Sequence, residues 1–448
     1  MSHSTDALIL KLKRALSRGP QTAAQLIATL GVSQATFSRA VRALGPEVTM
    51  FRVPGDRTPR YGLLRQLPLG VSSRQPVYRC STEGKFIPFA DLEFFAGGGT
   101  LERSEAGIRF YEGLPPYLLF SAPSGFLGRQ LAQEAARSHQ LPANLSDWQD
   151  DHRVAYLFQL GLNLSGNLIY GLANFQAEMN LGEVPPVAAA AKLSHYVEMA
   201  NALKSASYGS SAGGEQPKFL AYVEDAGHVI VKFAKRGSRM AELLPLEHLA
   251  LRCLATVDVP SSATELLTSR DFVFLEVQRF DRVGAMGRVG MLSAGSIDDE
   301  FFGGRDTWAE FAARCEAAGY LSSADARHVD TMAAFSELIG NTDTHFENLS
   351  LLIDEAGEYL GIAPAYDILP MRYAPLGGGI DPDLSPLTPK IGTIGAKPDV
   401  WRRALNAASR FWSEVAVGDA NGLIPHAMRR LARENLAVAQ SFAAPLAG

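Results

Sequence analysis

Apolar residues recur at helical spacing along the first 30 residues of the chain. Leucines stand among basic residues within residues 5–18, at Leu8, Leu10, Leu12 and Leu16. This period predicts an amphipathic helix, because residues at such spacing share one helix face. Gly19 and Pro20 end the helix, since neither residue extends one readily. Thr22 is then placed to cap a second helix that runs to about Leu30.

A third helix and a hairpin follow within the first 65 residues. Gly31 supplies a tight turn, and Ser33 is placed to cap the helical stretch QATFSRAVRAL. The stretch VTMFRVPGDRTPRYGLL then predicts two short strands around the turn PGDRTP. A short helix, a glycine turn, a helix rich in Ser, Gln and Arg, and a hairpin wing are typical of winged helix-turn-helix DNA-binding domains. The alternative is a small helical domain with a solvated basic face.

The pattern beyond residue 65 predicts a mixed α+β body. Residues 70–130 are β-rich, with Gly and Pro turns. Helical patterns cover residues 126–137, 150–161, 186–204 and 240–256. The stretch KFLAYVEDAGHVIVKFA predicts a hairpin joined by the turn EDAG. From residue 306 onward helices dominate, apart from a second hairpin after residue 348.

Composition places the chain among cytoplasmic globular proteins. Hydrophobic residues make up 47% of the 448 residues, which suits a chain that buries a core. No apolar run approaches the roughly 18–20 residues that span a bilayer, and the N-terminal stretch lacks the features of a signal peptide. The cysteines match neither a disulfide framework nor a C-x-x-C metal site, because Cys80, Cys253 and Cys315 lie far apart.

Charge is distributed unevenly along the chain. Residues 1–65 carry ten Lys or Arg and three Asp or Glu, a balance of +7, although the whole chain carries −5. This contrast predicts that only the N-terminal head meets a polyanion such as DNA. The expected contacts are Arg39 and Arg42 on the third helix and Arg57 and Arg60 on the wing.

A loop, a hairpin and a second acidic residue follow one another in GNTDTHFENLSLLIDEAGEYLGIAPAYDILP. Protein kinases use this order: a loop Asp positions the substrate hydroxyl, an Asn five residues later binds Mg²⁺, and a second Asp reaches the same metal. Asp343 and Asn348 have that spacing, and the hairpin brings Asp367 within reach. Mg²⁺ prefers the oxygen ligands that these side chains provide. The alternative is a polar turn before a buried strand. His345 could be a zinc ligand, but no second His or Cys lies at ligand spacing, so His345 is expected to brace the loop.

A lysine inside an apolar strand is a candidate for the part of a kinase site that binds the nucleotide phosphates. Lys232 stands between Val231 and Phe233, where a buried cation needs an anionic partner. ATP phosphates and a glutamate of the next helix would serve as the anionic partners of Lys232. That helix offers Glu242 and Glu247, and Glu247 is favoured. Upstream, SYGSSAGGEQPKF is a segment suited to cradle phosphates through backbone N–H groups, or else a plain linker.

Five motifs in this order resemble the HipA-like serine/threonine kinases of bacterial toxin–antitoxin systems. The motifs are SSAGGEQPKF, HVIVKF, VQRFDR, GNTDTHFENLSLL and PAYDILP, and the resemblance covers roughly residues 70–430. It implies a two-lobed, protein-kinase-like fold, ATP and Mg²⁺ as cofactors, and a growth-inhibiting toxin.

The resemblance also assigns roles to individual residues. It implies that Asp343 is catalytic, that Asn348 and Asp367 bind Mg²⁺, and that Lys232 contacts ATP. The Gly-rich segment, with Gly213 and Gly214, would then lie at the nucleotide and carry an autophosphorylated serine, Ser211. Asp281 in the motif RFDR falls on a position near the core and is interpreted as structural.

The resemblance implies partners and a domain order. The expected partners are a protein substrate of the translation machinery (the aminoacyl-tRNA synthetases of the family) and a HipB-like antitoxin. Ordinary members lack a DNA-binding head, so the fused head could replace a separate antitoxin. The predicted domains are a winged helix-turn-helix (1–66), a β-rich subdomain (67–130), a nucleotide-binding lobe (131–256) and a mostly helical catalytic lobe (257–448).

Two other functions compete with the kinase. One is a DNA-binding regulator whose kinase-like part is a sensor, and this is disfavoured because Lys232, Asp343, Asn348 and Asp367 are all present. The other is a Mg²⁺-dependent nuclease, which lacks an evident extra carboxylate cluster for a two-metal site.

Overall fold

The computed structural model of the protein describes residues 2–181, 184–205, 216–355, 357–376, 380–418 and 422–448. The chain divides into two compact units. The first unit comprises residues 1–80, 85–122 and 132–183, and the second comprises residues 81–84, 123–131 and 184–448. None of the described helices is long and apolar enough to cross a membrane. The predicted domain boundaries after residues 66, 130 and 256 stay predictions.

The N-terminal 65 residues form three helices and a small antiparallel sheet. The helices are α1 (Ser2–Leu16), α2 (Ala23–Leu30) and α3 (Gln34–Leu44), and the strands, in the order β1-β3-β2, are β1 (Gln21–Thr22), β2 (Val48–Phe51) and β3 (Arg60–Leu63). Thr22 caps α2 in a capping box with Gln25, and Ser33 caps α3. Gly31 ends α2 with φ of +64°, a left-handed conformation that suits glycine. The predicted second and third helices and the hairpin are confirmed, whereas α1 begins and ends earlier than predicted.

A five-stranded antiparallel sheet dominates the rest of the first unit. Its order is β7-β6-β5-β4-β8. The strands are β4 (Arg74–Cys80), β5 (Phe86–Phe94), β6 (Thr100–Ser104), β7 (Gly107–Tyr111) and β8 (Leu168–Tyr170). The helices of this region are α4 (Pro116–Ser121), α5 (Gly125–His139), α6 (Asp150–Leu160) and α7 (Leu172–Leu181). Aromatic rings join the N-terminal sheet to this one, because Phe51 stacks on Phe95 with ring centroids 5.2 Å apart.

The second unit begins with helix α8 and a four-stranded antiparallel sheet of order β11-β12-β10-β9. Its elements are α8 (Lys192–Ser205), β9 (Lys218–Val223), β10 (Gly227–Lys235), α9 (Arg239–Ala255), β11 (Thr264–Thr268) and β12 (Phe272–Gln278). Apolar clusters cover both faces of the sheet, with Tyr196 and Phe274 on one and Leu244 and Leu275 on the other. The central strand β10 is therefore enclosed on every side, and its side chains are held in place by packing.

The remaining elements surround a large apolar core. Short strands β13 (Arg282–Val283) and β14 (Gly287–Arg288) pair, and β15 (Gly290–Ser293), β16 (Ser350–Ile353) and β17 (Tyr359–Ile362) form a second sheet. The helices are α10 (Ala294–Phe301), α11 (Trp308–Ala317), α12 (Ser323–Ile339), α13 (Pro398–Val417) and α14 (His426–Ala447). Trp401, Phe411 and Trp412 of α13 are fully buried in the core. This core fixes the end of α12, from which the polar loop 340–349 emerges.

Candidate active site

Lys232 lies at the centre of the candidate site. It stands on β10 opposite Lys218 of β9 and Leu275 of β12. Its Nζ donates to Glu247 Oε1 at 2.6 Å and also to the Asp367 carboxylate. Glu247 is fully buried on α9, a helix that begins at its N-cap Ser238. The ion pair between Lys232 and Glu247 that the sequence favours is therefore present.

Burial and charge act in opposite directions on Lys232. Burial lowers the pKa of Lys232 from its ordinary value, whereas the carboxylates of Glu247 and Asp343 raise that pKa. The charge of Lys218 on the neighbouring strand adds to the lowering. Because its ammonium group pairs with Glu247 and Asp367, Lys232 joins β10 to α9 and to the segment that follows β17.

The loop 340–349 is held by hydrogen bonds at several points. Asn341 Oδ1 accepts the backbone N–H of Asp343 at 3.1 Å. Asn348 Nδ2 donates to the carbonyl oxygen of Asp343 at 2.9 Å and approaches its Oδ2 at 3.4 Å. The indole of Trp308, on α11, donates to the carbonyl oxygen of His345 at 3.1 Å. These bonds close the loop around Asp343, whose side chain is 46% exposed and open to a substrate.

Charged side chains on the same loop lie close to Asp343. The Nε2 atom of His345 is 3.6 Å from Asp343 Oδ1, and its Nδ1 is 3.4 Å from Glu347 Oε2. Hydrogen bonds from His345 and from Arg305 lower the pKa of Glu347 to about 2. The bracing role that the sequence predicts for His345 agrees with these distances.

Asp367 reaches the site from the other side of the hairpin formed by β16 and β17. Its backbone has φ of +54°, a left-handed conformation that Asp adopts more readily than most residues. The preceding residue, Tyr366, donates from its hydroxyl to the carbonyl oxygen of Glu347 at 2.9 Å and also bonds Ser350 Oγ. Tyr366 therefore ties the segment that carries Asp367 to the loop that carries Asp343 and Asn348.

The donor set suits Mg²⁺. Asp367 provides carboxylate oxygens, and the bonds made by Asn348 Nδ2 leave its Oδ1 available. Within the described ranges, no group of three His, Cys, Asp or Glu forms a complete metal cage. An ion at this site would therefore need water and phosphate oxygens for its remaining ligands, which is the usual arrangement for Mg²⁺ bound with a nucleotide.

Asp281 lies outside this constellation, in a buried ion cluster. Arg279 donates from Nε and Nη2 to the two carboxylate oxygens of Asp281 at 2.9 and 2.8 Å. Arg282 donates to Oδ2 at 2.8 Å. The backbone N–H of Val289 donates to the carbonyl oxygen of Asp281 at 3.1 Å. These bonds hold the β13–β14 turn against the end of β12, which agrees with the structural role predicted for Asp281.

Comparisons with known proteins match this architecture along most of the chain. The chain is 32% identical over 446 residues to Toxin YjjJ of Escherichia coli (strain K12), which covers 97% of this chain and 96% of that protein. Residues 71–179 match the family described as YjjJ-like toxin, middle domain, and residues 210–437 match HipA-like C-terminal domain. The chain belongs to the YjjJ-like toxins of the HipA-like family.

A solved HipA-like toxin has a related fold. The structure of the Shewanella oneidensis MR-1 toxin–antitoxin system HipA, HipB and its operator DNA gives a TM-score of 0.52 at 14% identity. The match covers 83% of this chain and 99% of that one. At such identity the likeness shows the fold alone. The predicted resemblance to the HipA-like family is confirmed, and the 32% identity over 446 residues adds that the chain is of the YjjJ type.

The second unit of this HipA-like chain brings together most of the predicted site. Contacts join Lys232 to Glu247 and Asp367, and Asn348 to Asp343, and Tyr366 ties the two groups together. The individual roles of these residues stay predictions. Ser211, Gly213 and Gly214 lie outside the described residues. Sequence reasoning missed Asn341, Trp308 and Tyr366, which hold the loop. Of these, Asn341 stands inside the motif GNTDTHFENLSLL and Tyr366 inside PAYDILP, and their positions close to Asp343 and Asp367 could have indicated their roles.

The predicted DNA contacts lie in the first unit and differ in their surroundings. Arg39 and Arg42 are exposed on α3, and Arg57 is exposed in the β2–β3 turn. Arg60 is half-buried, donates to Asp56 at 2.9 Å and lies 5.8 Å from the centre of the Phe110 ring. Arg60 is therefore engaged in an ion pair and a ring contact, whereas Arg39 makes only long hydrogen bonds within α3, to the Ala35 carbonyl oxygen at 3.4 Å and the Thr36 hydroxyl at 3.3 Å.

Proposed function

We propose that this chain is an ATP- and Mg²⁺-dependent protein serine/threonine kinase that acts as a growth-inhibiting toxin. The observation that carries the proposal is the continuous set of contacts from Glu247 through Lys232 to Asp367, beside the loop of Asp343 and Asn348. Kinases need this set of groups in one place. Family membership supports the same reaction class.

Each of these groups has a distinct chemical task in the proposed reaction. Asp343 orients a substrate hydroxyl and accepts its proton as the oxygen attacks the γ-phosphorus of ATP. Lys232, held in direction by Glu247, binds the phosphates. Asn348 and Asp367 would hold Mg²⁺, which neutralises charge on the phosphates. The leaving ADP oxygen takes the electron pair of the broken bond.

One experiment separates this proposal from its alternatives. The full-length protein is incubated with γ-labelled ATP and Mg²⁺, alone, with a cell extract, and with plasmid DNA. Label transferred to serine or threonine supports the kinase. Cleaved plasmid would instead support a nuclease, and DNA binding without transfer or cleavage would support a regulator with a kinase-like sensor.

Asp367→Ala is expected to weaken binding of Mg²⁺·ATP more than binding of metal-free ATP. The carboxylate is proposed to bind the metal and not the nucleotide base. The loss for Mg²⁺·ATP should be about tenfold or more, as measured by calorimetry with and without EDTA. Equal losses for both forms would contradict a metal-binding role for Asp367.

The N-terminal 65 residues are proposed to be a winged helix-turn-helix that binds DNA. The support is the order of α2, the Gly31 turn and α3, followed by the β2–β3 hairpin. In such domains the second helix of the motif enters the major groove, and its exposed arginines contact bases or phosphates. Arg39 and Arg42 are exposed on α3 in this manner.

Arg57→Ala is expected to weaken DNA binding more than Arg60→Ala does. Arg57 is exposed, whereas Arg60 is already paired with Asp56. Arg60 would have to give up that ion pair to bind a phosphate, so its contribution to DNA binding should be smaller. Loss of one phosphate contact should lower the slope of log K against log salt by about one. Fluorescence anisotropy with duplex DNA across a salt series measures both variants. Equal slopes for the parent and Arg57→Ala would contradict the wing contact.

The family supplies three further parts of this proposal. The substrate is a protein of the translation machinery, Ser211 is autophosphorylated, and a HipB-like antitoxin is a partner. A phosphate on Ser211 would add about −1.5 to −2 charges to the Gly-rich segment, which the resemblance implies to lie at the nucleotide. That charge would disfavour ATP binding, so the kinase would limit its own activity.

A further inference from the structure

Arg305 joins the loop 340–349 to helix α10. Its Nε and Nη2 donate to the two carboxylate oxygens of Asp299 at 2.8 and 2.6 Å. Its Nη1 donates to Glu347 Oε1 at 2.7 Å. One planar guanidinium group thus binds a carboxylate on α10 in a two-pronged manner and a carboxylate of the loop at the same time. Only arginine has donors in a geometry that suits both partners.

The backbone of Arg305 is also fixed in place. Its N–H donates to Asp298 Oδ2 at 2.8 Å, and Asp298 is fully buried. Arg314 donates to the other carboxylate oxygen of Asp298 at 2.8 Å. The φ of Arg305 is +45°, a region that long side chains seldom adopt and that persists only where the surroundings enforce it. The guanidinium is therefore presented from a rigid base.

Gly295 permits the close approach of Arg305 to Glu347. A Cβ atom at this position of α10 would lie 2.5 Å from Glu347 Oε1 and 2.7 Å from Arg305 Nη1. Both distances are too short for non-bonded contact. A side chain here would thus displace the Arg305–Glu347 pair itself, and the absence of a side chain at 295 is a requirement of that contact.

The contacts continue from Glu347 to Asp343. The second carboxylate oxygen of Glu347 lies 3.4 Å from His345 Nδ1, and the other ring nitrogen of His345 lies 3.6 Å from Asp343 Oδ1. Asp299, Arg305, Glu347, His345 and Asp343 therefore form a row of side chains that runs from a helix of the core to the exposed carboxylate.

We propose that Arg305 is a positioning residue for phosphoryl transfer, which orients the Asp343 carboxylate through Glu347 and His345. This inference rests on the proposed kinase activity. A single exposed ion pair usually contributes little, but this pair is anchored by a two-pronged partner, a fixed backbone and a helix position where a Cβ atom would push the paired side chains apart. A misplacement of the reacting groups by about 1 Å reduces a rate by about a hundredfold, so a modest contact can have a large effect on kcat.

Arg305→Gln is expected to lower kcat by about 10- to 100-fold, with KM for ATP within about twofold of the parent, because Lys232 and the nucleotide contacts are untouched. Arg305→Lys keeps the positive charge and should recover part of the rate. Recovery should be incomplete, because one ammonium group cannot bind Asp299 in a two-pronged manner and Glu347 at the same time. Hydrogen exchange of amides 343–349 should rise about threefold or more in Arg305→Gln as the loop opens more often.

A matched control and a double variant make the test specific. Asp399→Asn removes an exposed ion pair with Arg402 on α13 (2.7 Å), outside this row of side chains, and should leave kcat and loop exchange near the parent. The double variant Arg305→Gln/Glu347→Gln should lose little more activity than either single variant, because both act through one contact. Gly295→Ala should reproduce the loss of Arg305→Gln with an unchanged circular dichroism spectrum.

The outcomes separate this inference from the function on which it rests. A parent protein that transfers no phosphate from ATP overturns the proposed kinase. An active parent with Arg305→Gln at parental kcat overturns the positioning role alone, whatever the exchange shows. Activity losses of the two single variants that multiply in the double variant, or an Asp399→Asn variant as impaired as Arg305→Gln, also overturn it.

Discussion

Asp343→Asn is expected to reduce phosphoryl transfer by roughly a thousandfold while the fold stays intact. The substitution keeps the size of the side chain and the backbone bonds to Asn341 and Asn348. It removes the only group proposed to accept the proton of the attacking hydroxyl. A thousandfold loss corresponds to about 4 kcal/mol of transition-state stabilisation, which is more than the loss of a neutral hydrogen bond would produce.

The measurement is single-turnover transfer from γ-labelled ATP, paired with calorimetric binding of Mg²⁺·ATP. Binding should change much less than the rate, because Asp343 is proposed to act on the hydroxyl in the transition state. Glu358→Gln serves as the control, since Glu358 is an exposed acid near the start of β17. Near-parental transfer by Asp343→Asn would remove this loop from the proposed chemistry.

Local signals explain what the sequence predicts well. Thr22 and Ser33 cap α2 and α3 through bonds to residues three positions later, so the signal and its effect lie in the same short stretch. The β16–β17 hairpin is likewise recognisable from an apolar run, a turn and a second run. The Lys232–Glu247 pair was predictable for a different reason, because a lysine in an apolar strand requires an anion nearby.

Contacts between distant segments explain what was missed. The stretch GNLIYGLANF indicates a strand or a turn, but three residues carry too little pattern to reveal that Leu168, Ile169 and Tyr170 pair with β4. Trp308 looks like an ordinary core residue until its indole is seen to bond the carbonyl oxygen of His345. Arg305, in the stretch FFGGRDTW, gives no sign in the sequence of its contact with Glu347. Such roles depend on how α10 and α11 pack, which a one-dimensional pattern does not encode.

Lys232→Met is expected to destabilise the second unit by about 3 to 5 kcal/mol and to abolish phosphoryl transfer. Glu247 is fully buried, and its Oε2 has no hydrogen-bond partner among the residues that the structure describes. Removal of Lys232 would therefore leave a buried carboxylate without a cation. Removal of one partner of a buried ion pair destabilises a protein more than replacement of both partners by apolar residues. Urea unfolding, followed by tryptophan fluorescence from the core that holds Trp401 and Trp412, measures the loss.

The double variant Lys232→Met/Glu247→Leu is expected to recover most of that stability and none of the activity. Two apolar side chains of similar volume remove the unpaired charge and fit the apolar surroundings of β10 and α9. Lys235→Met, at the exposed end of β10, should change stability by less than about 0.5 kcal/mol. If the double variant is as unstable as Lys232→Met, the buried pair itself holds β10 to α9. If it regains stability but stays inactive, the charges at 232 and 247 are retained for the chemistry at the phosphates and not for the fold.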